Sequence, residues 1–134
     1  SAYFVAKIFP GARTPVAGRG HFILAKTYDL MGKHEQALQE YSQVGSEPKI
    51  KSESHNNRAL IFIQQNLFDR ALKELDQAVK TFPNLYSAHF NLGSLLIQTN
   101  GDLIKARRHL EKALKFSNNQ ERIEKIKKTL NTLP

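Results

Sequence analysis

Three histidines recur along the chain at one constant interval, at His21, His55 and His89, and we call this interval the repeat period. A neutral imidazole can bind zinc or act as a general base, so a regular row of histidines could form a metal or catalytic site. Zinc holds imidazole nitrogens at about 2.0 Å, which requires its ligands to converge. Equivalent positions in stacked repeats are instead separated by about 10 Å. The interval therefore predicts that each ring fills a half-buried aromatic site against a neighbouring helix, with no metal bound.

The other residues with reactive side chains also give no catalytic pattern. The chain has no cysteine, which excludes thiolate chemistry, thiolate metal sites and disulfides. No glycine-rich phosphate loop occurs, and the acidic residues fall on solvent-facing positions of predicted helices or in linkers. His34 and His109 stand outside the regular row, and we expect both to be exposed. The sequence predicts a protein that is not an enzyme and that needs no cofactor.

A small residue follows each histidine of the row by four positions, at Ala25, Ala59 and Gly93. Each histidine also opens a stripe with the spacing i, i+3, i+4, i+7, which is typical of a helix. The first of these stripes comprises His21, Leu24, Ala25 and Tyr28. After a short connector, a second helix begins in each unit with a small residue, at Ala37, Ala71 and Ala106. Because helix axes that approach to about 8 Å leave room only for Ala or Gly at the crossing, the pattern predicts closely packed helix pairs.

A helix, a turn and a second helix that recur at this period resemble the tetratricopeptide repeat. The resemblance extends from about Pro15 to Asn118, and is carried by the small residues together with Tyr28, Tyr41, Phe62, Ala78, Pro83 and Ala113. It implies an all-α fold, a right-handed α-solenoid of three antiparallel helix hairpins at residues 15–50, 51–83 and 84–118. Residues 1–14 would form an N-terminal extension.

The sequence departs from the family pattern in three ways. Histidine stands where the family often has tryptophan, Arg58 replaces an expected apolar residue, and the third repeat is one residue longer than the others. These departures concern the packing around Arg58 and leave the expected fold unchanged.

The pattern changes in residues 119–134. Ile123, Ile126, Leu130 and Leu133 lie on one side of a predicted amphipathic helix, which lacks the small crossing residues. A solenoid must cover the apolar flank of its last repeat, so we expect a C-terminal capping helix. The alternative is that this helix binds a membrane surface or a partner.

The composition is that of one ordinary globular domain, with 134 residues of which 40% are hydrophobic and 24% charged. No run approaches the roughly 20 apolar residues that a membrane span requires. Ser1 in place of methionine suggests a processed product or a piece of a longer chain. The sequence leaves the compartment and the oligomeric state open, with the cytoplasm as the default expectation.

The resemblance implies the function, because tetratricopeptide arrays are, as a family, protein-interaction scaffolds. Their usual ligand is an extended peptide or a partner helix on the concave surface lined by the first helices, here called the groove. We expect first-helix residues outside the packed stripe to face it, with Phe22 and Phe90 contacting apolar side chains and Arg19 and Lys26 favouring acidic residues. The predicted groove residues are Arg19, Phe22, Ile23, Lys26, Asn56, Asn57, Leu60, Phe90, Asn91 and Ser94.

One subgroup of the family clamps the carboxylates of chaperone tails with a set of Lys, Asn and Arg. Of that set only Asn57 is matched, whereas Phe22, Lys26, Ser87 and Asn91 occupy the other places. A chaperone-tail adaptor is therefore not expected. Asn57 and Asn91 instead resemble the asparagines by which other arrays hold peptide backbone, since a side-chain amide both donates and accepts.

Charge supplies the competing hypothesis. The formal net charge is +8, and nine of the twenty Lys and Arg lie in residues 101–134. A basic region attracts polyanions, and helical-repeat proteins that read RNA exist. Few aromatic residues stand among these cations to stack bases, so nucleic acid is disfavoured relative to an acidic protein partner. The predicted basic patch consists of Arg107, Arg108, Lys125, Lys127 and Lys128.

Overall fold

The computed structural model describes residues 15–134, and the predicted extension at 1–14 lies outside the described residues. This part of the chain contains seven α-helices and no strand, so the prediction of an all-α solenoid is confirmed. No helix between residues 15 and 134 is long and apolar enough to cross a membrane. The helices are α1 (Pro15–Leu30), α2 (His34–Tyr41), α3 (Pro48–Gln64), α4 (Phe68–Thr81), α5 (Tyr86–Gln98), α6 (Leu103–Phe116) and α7 (Gln120–Asn131).

The first six helices form three hairpins, α1–α2, α3–α4 and α5–α6, and each hairpin packs on the next. The first helices α1, α3 and α5 also contact one another in order along the array. They form one continuous surface, while α2, α4 and α6 form the opposite one.

Each first helix ends in the same way, at the repeat period. The backbone N–H of Lys33 donates to Tyr28 O at 2.9 Å, and the bonds from Leu67 to Phe62 O and from Gly101 to Leu96 O repeat this pattern. Such a bond closes a helix through a residue with positive φ. That residue is Gly32, Asn66 or Asn100, with φ of 73°, 59° and 53°. The connectors predicted from the sequence thus turn the chain at equivalent points.

The small residues four positions after the histidines lie where the two helices of a hairpin cross. Ala25 and Ala59 are fully buried. A Cβ added to Gly93 would lie 2.8 Å from Leu110 Cγ and 3.1 Å from the backbone oxygen of Ala106. The close crossing predicted from the sequence is therefore present, and in the third hairpin it leaves no room for a Cβ at position 93.

One residue of the predicted stripes does not reach the core. Leu24 is exposed, although the third-repeat equivalent, Leu92, is fully buried in a cluster that includes Leu75 of α4. The interpretation of Leu24 as a core residue is wrong, because this side of a first helix is buried by the second helix of the preceding hairpin. Helix α1 is the first described helix, and no described second helix precedes it.

Helix α7 covers the end of the third hairpin. Ile126 is fully buried and shares a core cluster with Leu110 and Ala113 of α6, with Leu130 and Leu133 packed beside them. Asn119 caps the helix by accepting a hydrogen bond from the backbone N–H of Arg122 at 3.1 Å.

Candidate functional site

Each histidine of the row is hydrogen-bonded to the second helix of its own hairpin. The Nδ1–H of His21 donates to Glu40 Oε2 at 2.6 Å, and that of His55 donates to Glu74 Oε2 at the same distance. In the third hairpin, His89 Nδ1 lies 2.9 Å from His109 Nδ1. The row therefore joins the helices of each hairpin, and within residues 15–134 no group of three or more His, Cys, Asp or Glu could hold a metal ion.

The prediction that His109 is exposed is wrong. Its side chain is 7% exposed and stacks on His89 with ring centroids 5.2 Å apart. The extra residue of the third repeat places position 109 where the earlier repeats have Glu40 and Glu74. The alignment of Ala37, Ala71 and Ala106 already contains this signal, because Glu40, Glu74 and His109 each stand three residues after them.

One hydrogen bond joins the two buried rings. The Nε2–H of His89 donates to the backbone oxygen of Pro83 at 2.6 Å, so its Nδ1 accepts from the Nδ1–H of His109. Burial lowers the pKa of His89. Burial also lowers the pKa of His109 to about 4, and the nearby His89 and Lys105 lower it further.

Arg58, the unexpected residue of the second repeat, lies beside this row. Its Nη2 is 3.2 Å from Glu74 Oε1, and Glu74 also accepts the hydrogen bond from His55. The arginine is half-buried because the same carboxylate serves both neighbours.

Two predicted groove residues lie between helices. Phe22 is 9% exposed and packs on Tyr41 of α2 with ring centroids 6.0 Å apart. Asn56 is 5% exposed, accepts from Asn91 Nδ2 at 2.9 Å and donates to Ser87 Oγ at 3.4 Å. The expectation that Phe22 and Asn56 face the groove free of core contacts is wrong, because both positions lie where successive first helices meet.

Phe90 stands one repeat period after Asn56 and is a third predicted groove residue in contact with a neighbouring helix. It is half-buried. Its ring stacks on Tyr86 at 5.9 Å, and Lys125 Nζ of α7 lies 5.6 Å from the ring centroid. Side chains of α7 thus reach the rings of α5, while the backbone of α7 lies against α6.

Four predicted groove residues remain accessible on α1 and α3. Ile23 is 65% exposed and Leu60 is 39% exposed. Lys26 is exposed, with its Nζ 5.1 Å from the centroid of the Phe22 ring. Arg19 is exposed, but its guanidinium already forms an ion pair with Glu47, at 3.2 Å from Nε to Oε2. Asn57, Asn91 and Ser94 are half-buried.

An open pocket of about 440 Å³ lies between α1 and α3, and we call it the Tyr41 pocket. Tyr41 is only 2% exposed, and its hydroxyl makes no hydrogen bond of ordinary geometry. Burial raises the pKa of Tyr41 to about 12, the Asn57 amide opposes the rise and the Asp29 carboxylate adds to it. The phenol is therefore neutral at physiological pH and can both donate and accept. The pocket is lined by Lys26, Asp29, Leu30, Tyr41, Asn57 and Gln64.

The place of Tyr41 in the α2 stripe predicts only a core role, so sequence reasoning missed its contribution to the groove. Neither its spacing nor its residue type distinguishes it from a wholly internal aromatic residue. The signal would have required the position of α2 relative to α1 and α3.

The predicted basic patch does not form one surface. Arg107 is half-buried and its Nη2 donates to the backbone oxygens of Leu130, Leu133 and Pro134 at 3.2–3.4 Å, which holds the end of α7. Arg108 is exposed on α6, whereas Lys125, Lys127 and Lys128 are exposed on α7.

The expectation that few aromatic residues stand among these cations describes sequence order only, because two cations of α7 lie over rings of α5. The guanidinium of Arg122 lies 5.1 Å from the centroid of Tyr86, and Lys125 lies over Phe90. Both aromatic residues belong to α5, which sequence order separates from α7.

The fold defines a helical-repeat protein, an α-solenoid built from hairpins of nearly equal length. The family model described as Tetratricopeptide repeat matches residues 52–85 and 86–120. The chain belongs to the tetratricopeptide repeat family, whose fold is a protein-interaction module. Sequence comparison with curated proteins finds no significant match.

Solved structures with similar folds share little sequence with this chain. The TPR2B domain of yeast Sti1, in a complex with pHsp70, is 18% identical, with a TM-score of 0.71 over 85% of this chain and 93% of that one. The first TPR of Spaghetti (RPAP3), bound to the HSP90 peptide SRMEEVD, is 19% identical, with a TM-score of 0.70 over 89% and 97%. The Yersinia enterocolitica type III secretion translocator chaperone SycD is 15% identical, with a TM-score of 0.69 over 87% and 89%. At this identity the likeness extends to the fold alone.

Proposed function

We propose that this chain is a protein-interaction scaffold that holds an extended segment of a partner protein along the groove. The observation that carries the proposal is the pairing of exposed apolar side chains with the Tyr41 pocket. Ile23 is one helical turn from Lys26, and Leu60 is one turn from Asn57. Apolar side chains beside a concave polar site suit an extended peptide, because its apolar side chains need apolar contacts and its backbone needs hydrogen-bond partners.

One polar group of the pocket suits a peptide backbone. The half-buried Asn57 amide both donates and accepts, so it can pair with a peptide group whatever its side chain, whereas the Tyr41 hydroxyl oxygen is buried behind it. Asn91 contributes less to this role, because its Nδ2 already donates to Asn56. Asn57 is therefore the principal backbone contact that we propose.

The solved neighbours support a peptide ligand in general and not a chaperone tail in particular. Two of them carry Hsp70 or HSP90 partners in their structures. In this chain, however, Phe22 stands at one of the chaperone-clamp positions and is buried, and Ser87 stands at another. We therefore propose a partner segment other than a chaperone C-terminus.

A catalytic role is not part of the proposal. Glu40 and Glu74 are engaged by histidines, Glu47 by Arg19 and Asp76 by Lys105 at 3.1 Å. Carboxylates held in such pairs act as structural links between helices, and this supports the interpretation that the chain is not an enzyme.

The test is selection of binders from a displayed library of random peptides of about 12 residues, which span roughly 40 Å when extended. Ile23→Asp and Leu60→Asp should each weaken binding of the selected peptides about tenfold or more, because truncating or charging an interface anchor is costly. Ile104→Asp is the matched control, since Ile104 is 78% exposed on α6, on the opposite surface. Loss of binding in the control together with full binding by the groove variants would overturn the proposal.

A further inference from the structure

We propose that α7 is a fourth wall of the groove, and that Lys125 and Lys128 select partner segments whose acidic residues lie at this end. The inference rests on the proposed function, because it assigns a charge preference to the same groove. The partner is a protein with an acidic stretch next to the segment that crosses Ile23 and Leu60.

The residue spacing of α7 matches that of α5. The first residues of the two helices, Gln120 and Tyr86, are separated by one repeat period, the interval between successive histidines of the row. Ile126 likewise stands one repeat period after Leu92, and both are fully buried. Helix α7 therefore has the register of a first helix, although its backbone lies against α6 and it has no second helix after it within the described residues.

Two lysines of α7 stand at positions equivalent to predicted groove residues. Lys125 stands one repeat period after Asn91 and two after Asn57, and Lys128 stands in the same relation to Ser94 and Leu60. The two lysines thus continue the columns that contain the predicted groove residues. These columns are Ile23, Asn57, Asn91 and Lys125, and Lys26, Leu60, Ser94 and Lys128.

Contacts between α5 and α7 agree with this placement. Lys125 Nζ lies 5.6 Å from the ring centroid of Phe90, the residue next to Asn91. The guanidinium of Arg122 lies over Tyr86 one turn earlier. Such cation–π contacts hold a cation at the groove side of α5 while they leave its charge available to a ligand.

The charge at this end is not compensated. Within residues 15–134, Lys125 and Lys128 form no ion pair, whereas Arg19 at the other end is paired with Glu47. The acidic residues of α7 are Glu121 and Glu124, and Glu124 accepts a hydrogen bond from Gln120 at 3.0 Å. With a formal net charge of +8 on the chain, the α7 end attracts an anionic segment.

An acidic protein fits this surface better than a nucleic acid. A nucleic-acid strand needs cations along its whole path and free ring faces on which bases stack. Here the rings of Tyr86 and Phe90 already carry cations, and the columns toward α1 contain Leu60 and Ile23. Lys26 is also exposed at the α1 end, where it shares the Tyr41 pocket with the Asp29 carboxylate. Lys125 and Lys128 stand together at the α7 end, which suits a peptide whose acidic residues lie at that end.

The experiment repeats the peptide selection with the double variant Lys125→Glu and Lys128→Glu. The matched control reverses two exposed lysines of α4 on the opposite surface, Lys73→Glu and Lys80→Glu, so that both variants have the same net charge. We expect peptides selected on the wild type to carry Asp and Glu at one end. They should bind the α7 variant about tenfold more weakly at low salt, and the control nearly as well as the wild type.

Lys128→Glu alone provides a second variant, because Lys128 has no described aromatic contact and its reversal leaves the Lys125 contact with Phe90 intact. Circular dichroism and the thermal midpoint establish that each variant is folded. The single variant should show part of the loss, and selection on it should enrich fewer acidic residues.

The outcomes separate the two proposals. If the α7 variants bind the selected peptides as tightly as the wild type while Ile23→Asp does not, the charge preference is wrong and the groove proposal stands. If Ile23→Asp and Leu60→Asp also bind normally, both are wrong. If a single-stranded RNA oligomer displaces the peptides at about 0.15 M salt, the acidic-protein partner is wrong and the ligand is a nucleic acid.

Discussion

At the scale of single residues, the row has a histidine where the family often has a large aromatic residue. Each histidine joins the two helices of its hairpin by a hydrogen bond. In the first two hairpins the imidazole donates to a glutamate on the facing helix, at His21 and His55. In the third hairpin the facing residue is His109, so two imidazoles share the hydrogen bond. The histidine thus joins two helices in all three hairpins, but in the third hairpin the hydrogen bond is lost when the accepting imidazole is protonated.

This difference predicts an acid-sensitive third hairpin. The unfolded chain binds protons at its histidines near pH 6.5, whereas the folded-state pKa of His109 is about 4 and that of His89 is also lowered. The unfolded state therefore binds more protons between these values, and stability falls as the pH is lowered through this window. For His109 alone the loss amounts to about 3 kcal/mol once the pH reaches about 4.

Urea denaturation at several pH values measures this loss. His109→Gln keeps an N–H that can donate to His89 and cannot itself titrate, so this variant should lose less stability on acidification than the wild type. His34→Gln, at a half-buried histidine outside the row, is the comparison variant for the loss of one histidine. Equal acid sensitivity in His109→Gln and the wild type would show that the pair is not the cause.

At the scale of helices, the crossing in the third hairpin depends on the absence of a side chain at Gly93. Gly93→Ala improves helix propensity by about 1 kcal/mol. The new Cβ would lie 2.8 Å from Leu110 Cγ, and overpacking of this kind costs typically 1–3 kcal/mol. The net effect should be a loss of about 1 kcal/mol in the free energy of unfolding, measured by urea denaturation.

Gln98→Ala is the matched control on the same helix, because Gln98 is exposed and gains helix propensity without a new contact. A Gly93→Ala protein at least as stable as Gln98→Ala would mean that the helices separate easily at this crossing.

The helices and their pairing could be predicted from the sequence because each helix carries its own periodicity and each turn its own Gly or Asn. Burial by a neighbouring repeat could not be predicted in the same way. Phe22 and Asn56 lie on the side of their helices that the next first helix covers, and Leu24 lies on the side that only a preceding second helix would cover. Periodicity describes the orientation of a side chain about its own helix, and not which element lies against it.

The accessible side of α1 and α3 could be predicted for the same reason. The positions of Ile23, Lys26 and Leu60 relative to the histidines predict that they lie outside the packed stripe, and all three are exposed. The place of Tyr41 at the pocket could not be predicted in this way, because it depends on how α2 packs against α1 and α3.

At the scale of the whole molecule, charge and shape coincide along one surface. Apolar side chains, Lys26 and the Tyr41 pocket lie on α1 and α3, and two further exposed lysines, Lys125 and Lys128, lie on α7 at the other end. The opposite surface, formed by α2, α4 and α6, is where Lys73 and Ile104 are exposed. A partner segment that crosses the groove would therefore meet apolar contacts first and positive charge last.

Amide chemical-shift mapping of the isotope-labelled protein with a selected peptide tests the central claim most directly, because it reports the bound surface without any substitution. We expect the largest shifts at groove positions of α1, α3 and α5, including Ile23, Asn57 and Leu60, and further shifts at Lys125 and Lys128 of α7 when the peptide has an acidic end. Shifts concentrated on α2, α4 and α6, with the Asn57 and Leu60 amides unchanged, would contradict the claim.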